Sequence, residues 1–151
     1  MGTTTFTGPV KAGGILNTSG STVGTDIANV GYVVMAQTAV IDIAGATATT
    51  TIGYVPAGSK ILYAVLNATT ANDDGTASTC AIGTAAATTA FLAATSVQSA
   101  GVTFSAEMTA ASTDVGTTDV QVVATFTATD GDGTAGVADA TIVYLQAVNL
   151  V

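Results

Sequence analysis

The chain has 151 residues, of which 48% are hydrophobic and 8% are charged, and ten acids against two lysines give a net charge of −8. A typical soluble domain has roughly a quarter of its residues charged, so solubility here must come largely from Thr, Ser and backbone groups. Two lysines cannot supply the basic footprint that nucleic acid or an anionic membrane would require. The sequence therefore excludes both as partners.

The length favours a single domain that is large enough to bury a core. The apolar residues are mostly Ala and Val, and small, β-branched and Gly-rich composition of this kind is typical of sheets. A composition with so many apolar and so few charged residues is not typical of disordered chains. It indicates a protein that covers part of its surface with other copies or with a larger scaffold.

The first 29 residues have an irregular pattern and are predicted to form an N-terminal arm and lead-in, ahead of a β-domain over residues 30–151. We expect the arm to pack on a neighbouring subunit, although a poorly ordered N-terminus is an alternative. The residues expected at this assembly interface are Thr3, Thr5, Phe6, Pro9 and Val10, together with Lys60. No secretion signal is apparent, and no apolar run approaches the ~20 residues of a membrane span.

Residues 52–66 dominate the centre of the chain. They read as strand, tight turn and strand, because Pro56 cannot donate to a ladder and Gly58 tolerates positive φ. We expect a core hairpin whose second strand, residues 61–66, is buried on both faces because it is apolar throughout. Residues 30–43 and 47–54 are predicted to form the preceding strands.

Further strands follow at regular intervals. The Asp-Gly turn at residues 72–75 predicts a hairpin between residues 61–66 and 77–82. Residues 85–94 are expected to form an irregular crossover or a single helical turn, with Phe91 in the core, before a strand at residues 102–104. Residues 119–129 alternate cleanly, and we expect them to form a hairpin with the last strand, residues 137–149.

These patterns predict an all-β fold: a single-domain antiparallel β-sandwich, jelly-roll-like, with about eight strands and an extended N-terminal arm. The order of the strands stays open at this point, because periodicity does not specify pairing. A strict alternation of strands and helices is absent from the pattern, which argues against a parallel doubly wound sheet.

The sequence offers little that could carry catalysis. It contains no His and no Arg, which removes the usual proton shuttle, the Ser-His-Asp triad and bidentate phosphate clamps. Glu107 has no neighbouring acid that suggests two-carboxylate hydrolysis. Cys80 lies in a predicted strand and is expected to be a small buried apolar residue. We predict a protein that is not an enzyme and that needs no cofactor.

One acidic group deserves comparison with known metal sites. Asp130, Asp132 and Asp139 lie in or near a Gly-rich loop, and hard oxygen ligands in such loops can hold calcium. The spacing fails the EF-hand template, and no Glu closes the loop. An acidic loop without a metal is therefore the favoured interpretation, and Asp73-Asp74 is likewise interpreted as a turn.

Several short motifs resemble small structural proteins of tailed-bacteriophage heads. They are Phe6-Thr7-Gly8-Pro9-Val10, Gly13-Gly14-Ile15, Tyr54-Val55-Pro56-Ala57-Gly58-Ser59, Ala81-Ile82-Gly83-Thr84, Phe91-Leu92-Ala93 and Ser99-Ala100-Gly101. The resemblance implies a β-rich capsid decoration (cement) protein, made in the host cytoplasm and located on the outer capsid surface of the virion. It further implies that the partners are the major capsid protein or other copies of the chain, with a homotrimer favoured.

Two other functions are compatible with the composition. A fibre, tail or pilus-type subunit would use its N-terminal strand to contact the next copy. A glycan-binding sandwich would need aromatic platforms, but the chain lacks Trp, and its four tyrosines all fall in predicted strands, where core or interface positions are expected. Both alternatives are binding or assembly roles.

Overall fold

The structure, a computed structural model, describes residues 32–106, 114–131 and 133–147. The chain divides into two units, Met1–Val33 with Ala147–Val151, and Val34–Gln146, and the second unit contains nearly all of the described residues. The predicted N-terminal arm lies outside them. Within the described ranges, no helix is long and apolar enough to cross a membrane.

The described residues form eight strands in two antiparallel four-stranded sheets. The strands are β1 (Tyr32–Asp42), β2 (Ala48–Val55), β3 (Lys60–Thr70), β4 (Thr79–Gly83), β5 (Leu92–Ser96), β6 (Gly101–Phe104), β7 (Val120–Thr127) and β8 (Val137–Ala147). The strand orders are β1-β8-β3-β6 in the first sheet and β2-β7-β4-β5 in the second. This architecture confirms the predicted all-β antiparallel sandwich.

The strand orders define a jelly roll. The first strand lies beside the last, β2 beside β7, β3 beside β6 and β4 beside β5, as in one long antiparallel ribbon. The ribbon is wound so that β8 also pairs with β3 and β7 also pairs with β4. Two Greek keys wrapped in this way are the jelly-roll topology, so the strand order that the sequence left open is now given.

The core lies on the inner faces, and it follows the period-2 pattern of the strands. In β7, Val122, Ala124 and Phe126 are fully buried, as the alternation over residues 119–129 predicted. In two buried pairs between β3 and β8 a large residue lies opposite a small one: Leu66 of β3 opposite Ala140, and Ile142 of β8 opposite Ala64. Matching large against small side chains lets the layers fill the interior without voids.

The predicted core hairpin of residues 52–66 is wrong. β2 pairs with β7 and β3 pairs with β8, so residues 56–59 carry the chain from one sheet to the other. The turn chemistry itself is as expected: Gly58 has φ of 73°, and its N–H donates to the Gly116 carbonyl at 2.8 Å. Burial of β3 on both faces is also wrong, because Tyr63 on its outer face is 40% exposed. An apolar strand here has one solvent-facing side.

The hairpins predicted for residues 61–82 and 119–149 are wrong for the same reason, since β3 and β4, like β7 and β8, belong to different sheets. The connecting loops are fastened to distant segments by polar side chains. Buried Asn72 donates from Nδ2 to the Ile43 carbonyl at 2.6 Å. Buried Asp74 accepts from Ser78 Oγ at 3.2 Å and from the Gly131 N–H at 3.4 Å. The Asp-Gly turn is therefore part of a network between loops.

Residues 84–91 form turns between β4 and β5, which pair with each other in the second sheet. The predicted crossover is wrong, but Phe91 is buried as predicted, and its N–H donates to the Ile82 carbonyl at 2.9 Å. These turns lie close against the end of β4. A Cβ added to Gly83 would come within 2.1 Å of the Ala87 carbonyl oxygen and 2.5 Å of the Thr88 carbonyl carbon.

We therefore predict that Gly83→Ala lowers the free energy of unfolding by about 1–3 kcal/mol, because backbone atoms must move to admit the methyl group. Denaturant unfolding of the purified protein measures the change. Gly75→Ala is the matched control, since nothing lies within 4 Å of a Cβ there, and it should change stability by less than about 1 kcal/mol. Equal effects of the two substitutions would contradict the close approach at Gly83.

The Asp73 carboxylate connects the loop before β4 to the loop before β8. It accepts hydrogen bonds from the Ala135 N–H at 2.9 Å, from Thr134 Oγ1 at 2.8 Å and from the Thr134 N–H at 2.7 Å. These donors favour the charged form and lower the pKa of Asp73 from its ordinary value of 3.8. The carboxylate therefore stabilises the fold when it is ionised.

We predict that Asp73→Asn lowers the melting temperature at neutral pH. Because the folded pKa is lower than the unfolded one, the stabilisation is present above pH 3.8 and is lost as the pH falls through the folded pKa. The difference between wild type and variant should consequently shrink in that acidic range when melting curves are recorded against pH. Asp130→Asn, which removes an exposed charge from the same region, controls for net charge; a pH-independent Asp73 effect would refute the explanation.

Candidate functional site: the outward faces of the two sheets

The outward face of the β2-β7-β4-β5 sheet carries many hydroxyl groups. Thr49 lies opposite Thr125, with 3.4 Å between their Oγ1 atoms, and Gln121 Nε2 donates to Thr51 Oγ1 at 3.0 Å. Hydroxyls and amides interact well with water without contributing charge. We call this surface the threonine face; it presents polar but uncharged groups to solvent.

The outward face of the β1-β8-β3-β6 sheet is different. In the strand register, Val65 lies opposite Phe104 on one side, and Tyr63 lies opposite Val143 on the other. The exposed residues Tyr63, Val102 and Phe104, with the half-buried Val65, form what we call the apolar face. Phe104 is 63% exposed and Val102 is 56% exposed, although residues of this type are usually buried. A group of exposed apolar side chains on one sheet is typical of a surface that binds a partner.

The two rings of the apolar face contact each other. Their centroids lie 6.3 Å apart with an interplanar angle of 53°, a tilted arrangement that aromatic pairs favour. The Tyr63 ring is held on a central strand of the sheet, and the Phe104 ring on the edge strand β6. Both rings project from paired strands, so this surface is preformed. Binding of a partner would therefore cost the two rings little conformational entropy.

Among the residues that the structure describes, few charged groups lie around this face. Asp139 lies opposite Asn67, which itself lies opposite Val102, so one carboxylate borders the apolar residues. Lys60, at the start of β3, forms an ion pair with Asp114 at 2.5 Å, and the two side chains are 45% and 62% exposed. An exposed pair of this kind contributes little to stability. The apolar face is therefore suited to a partner surface that is apolar at its centre and neutral or basic beside Asp139.

The predicted assembly residues can be placed only in part. Thr3, Thr5, Phe6, Pro9 and Val10 lie outside the described residues, and their role stays a prediction, as does that of Lys60. Of the calcium candidates, Asp130 is exposed, Asp139 is half-buried, and Asp132 is also outside the described residues. Among the residues that the structure describes, no group of three or more His, Cys, Asp or Glu side chains could hold a metal ion.

Cys80 is fully buried in the core, as predicted. Burial disfavours the thiolate and raises the pKa of the thiol to about 11. A thiol in this state is a poor nucleophile at neutral pH. Cys80 therefore acts as a packing residue.

The apolar face was not predicted from the sequence. Residues 102–104 form a strand as predicted, but β6 has the reverse of the usual pattern: Val102 and Phe104 are exposed, while Thr103 between them lies opposite the buried Leu66. A strand of four residues has too little periodicity to show which face is inward. The clearest available signal was the apolar character of both faces of residues 61–66, which was interpreted as burial on both sides.

The chain is similar to known proteins in its fold and not in its sequence. No protein-family model matches it, and no curated protein matches it in sequence. A chain of the cyanophage Pam1 capsid asymmetric unit matches with a TM-score of 0.58 and 16% identity, over 76% of this chain and 86% of that chain. A chain of the acid-stable capsid structure of Helicobacter pylori bacteriophage KHP30 matches with a TM-score of 0.60 and 14% identity, over 78% and 90%.

The mutual coverage means that each matched chain is slightly shorter than this one and is nearly all included in the match. At such low identity the likeness shows the fold alone. This chain thus has a jelly-roll fold that it shares with chains found in two bacteriophage capsids.

Proposed function

We propose that the protein is a structural component of a phage virion that binds the outside of the capsid and stabilises the shell by bridging capsomers. The observation that carries the proposal is the exposed apolar face, held on a paired sheet of a fold that also occurs in phage capsid structures. A protein of this kind needs contact area and complementary shape, and it needs no nucleophile.

The two outward faces suggest an orientation on the shell. The apolar face, with Tyr63, Val102 and Phe104, is directed to the capsid, where burial of its surface yields roughly 25 cal/mol per Å². The threonine face is directed to solvent, where its hydroxyls stay hydrated. Each copy that touches two capsomers resists their separation, and many weak contacts over a lattice add up through avidity.

Phe104 provides the sharpest test of this orientation. We expect Phe104→Ala to weaken binding to emptied shells of the same phage by roughly 30-fold, which corresponds to about 2 kcal/mol and is typical of an aromatic residue at the centre of an interface. Cosedimentation with shells at increasing protein concentration measures the dissociation constant. The melting temperature should change little, because the side chain is 63% exposed.

Tyr54→Ala is the matched control. Tyr54 is an aromatic residue with similar exposure, 58%, but it lies on the other sheet, opposite Gln121. Its removal should leave shell binding within about twofold, since that factor corresponds to less than half a kcal/mol. Equal losses for both variants, or no loss for Phe104→Ala, would rule out the apolar face as the capsid-binding surface.

The N-terminal arm is proposed as a second contact. In this proposal Phe6 anchors the arm on a neighbouring subunit, which is either the capsid protein or another copy. We predict that Phe6→Ala weakens assembly while the melting temperature of the isolated protein stays nearly the same. Comparable loss of both properties would identify Phe6 as an ordinary core residue.

Deletion of residues 1–10 separates decoration from the alternative of a fibre, tail or pilus-type subunit. A decoration protein lacking these residues should still bind shells through the apolar face, with lower affinity. A fibre subunit should lose polymerisation altogether while its fold stays intact. The homotrimer implied by the resemblance stays a prediction, and the mass of the protein in solution tests it.

A further inference from the structure

β1 is an edge strand that lacks the usual protection against pairing. It lies at one end of the first sheet, and among the described residues no strand pairs with its outer edge. The other three edge strands follow known protective patterns. β5 and β6 have only five and four residues, and the register of β2 shifts between Thr51 and Gly53. β1 has eleven residues, and its sequence contains no Lys, Arg, Pro or Gly.

The start of β1 is open on both faces. Val34 is 60% exposed and the adjacent Met35 is 40% exposed, and neighbouring residues of a strand point to opposite sides of the sheet. Further along, Val40 is 67% exposed. A long, apolar edge with which no other described strand pairs is a template for another strand.

We infer that this edge binds a second copy of the chain, with the two β1 strands antiparallel across a two-fold axis at Gln37. The inference is independent of capsid binding, because it rests on β1 and not on the apolar face. Pairing two identical edges satisfies the backbone groups of both copies at once, as isologous interfaces do.

Electrostatics favours this partner and this direction. Each copy carries a net charge of −8, so most surfaces of two copies repel each other. β1 has a single charged residue, Asp42, at its end. In an antiparallel pair the two Asp42 side chains lie at opposite ends, about 34 Å apart, well beyond the ~8 Å Debye length. A parallel pair would bring them side by side.

The exposed side chains select the register. Under a two-fold axis, residues directly opposite each other must lie on the same face, as Val34 and Val40 do. Pairing Val34 of one copy with Val40 of the other forms two symmetric pairs, which cover both valines of both copies. This register places the two-fold axis at Gln37. The Gln37 amide donates to the Tyr54 carbonyl and to Tyr144 Oη, each at 2.8 Å, so it stays directed to its own sandwich.

A two-fold axis through adjacent antiparallel strands is perpendicular to the joined sheet. The outward faces of both copies then lie on the same side of that sheet. If the proposed function is correct, such a pair offers two apolar faces to one shell, and its affinity exceeds that of a single copy through avidity.

Disulfide trapping tests the register in the full chain. The double variant Val34→Cys/Val40→Cys should form a covalent dimer under mild oxidation. In the proposed register, the thiol introduced at position 34 of one copy lies opposite the thiol introduced at position 40 of the other. Either single variant should remain uncrosslinked, since identical residues are then about 20 Å apart, far beyond disulfide reach. Buried Cys80 should not react.

Sedimentation of the unmodified protein provides the second measurement. Val40→Lys should shift the dimer to monomer at the same concentration, whereas Thr127→Lys, which adds the same charge at an exposed position of β7, should not. A double cysteine variant that stays monomeric, single variants that crosslink equally well, or a trimer unaffected by Val40→Lys would each overturn the inference. Shell binding is assayed separately, so a failure of dimerisation is distinct from a failure of the proposed function.

Discussion

The fold depends on the placement of its last two strands, each of which lies between two strands from earlier in the sequence. β8 lies between β1 and β3, and β7 lies between β2 and β4. As a result, β4 and β5 are the only consecutive strands among those described that pair with each other. Every other connection crosses between the sheets, so the sheets close only when distant segments meet. Long-range pairing of this kind makes folding slow, because loop entropy is lost before the contacts form.

This constraint explains what the sequence could predict. The period-2 alternation depends on which side chains face the core, and it identified the inner residues of β7. The apolar character of Cys80 and Phe91 was enough to predict that both are buried. Pairing depends on segments far apart in sequence, and a local Asp-Gly turn is compatible with a hairpin or with a loop between sheets. Here Asn72 and Asp74 bond to Ile43 and Gly131, contacts that no local pattern could indicate.

The candidate surface was less predictable for a different reason. A strand that is apolar on both faces, as residues 61–66 are, has the same sequence pattern whether a second layer of the same protein or a partner covers it. Tyr63 illustrates the ambiguity, because it was expected in the core or at an interface and is 40% exposed. Phe104 joins it only through the pairing of β3 with β6, which the sequence did not specify.

The distribution of charge differs between the loops and the strands. Asp73, Asp74, Asp114 and Asp130 lie in loops, whereas Asp139 and Asp42 are the acids within the described strands. Loops at the ends of the sandwich thus repel other copies over several ångströms, while the sheet faces and the β1 edge repel them little. These neutral surfaces are the ones on which the proposed contacts with a shell and with a second copy lie. The scarcity of charged residues on the described strands is therefore consistent with association through a few defined surfaces.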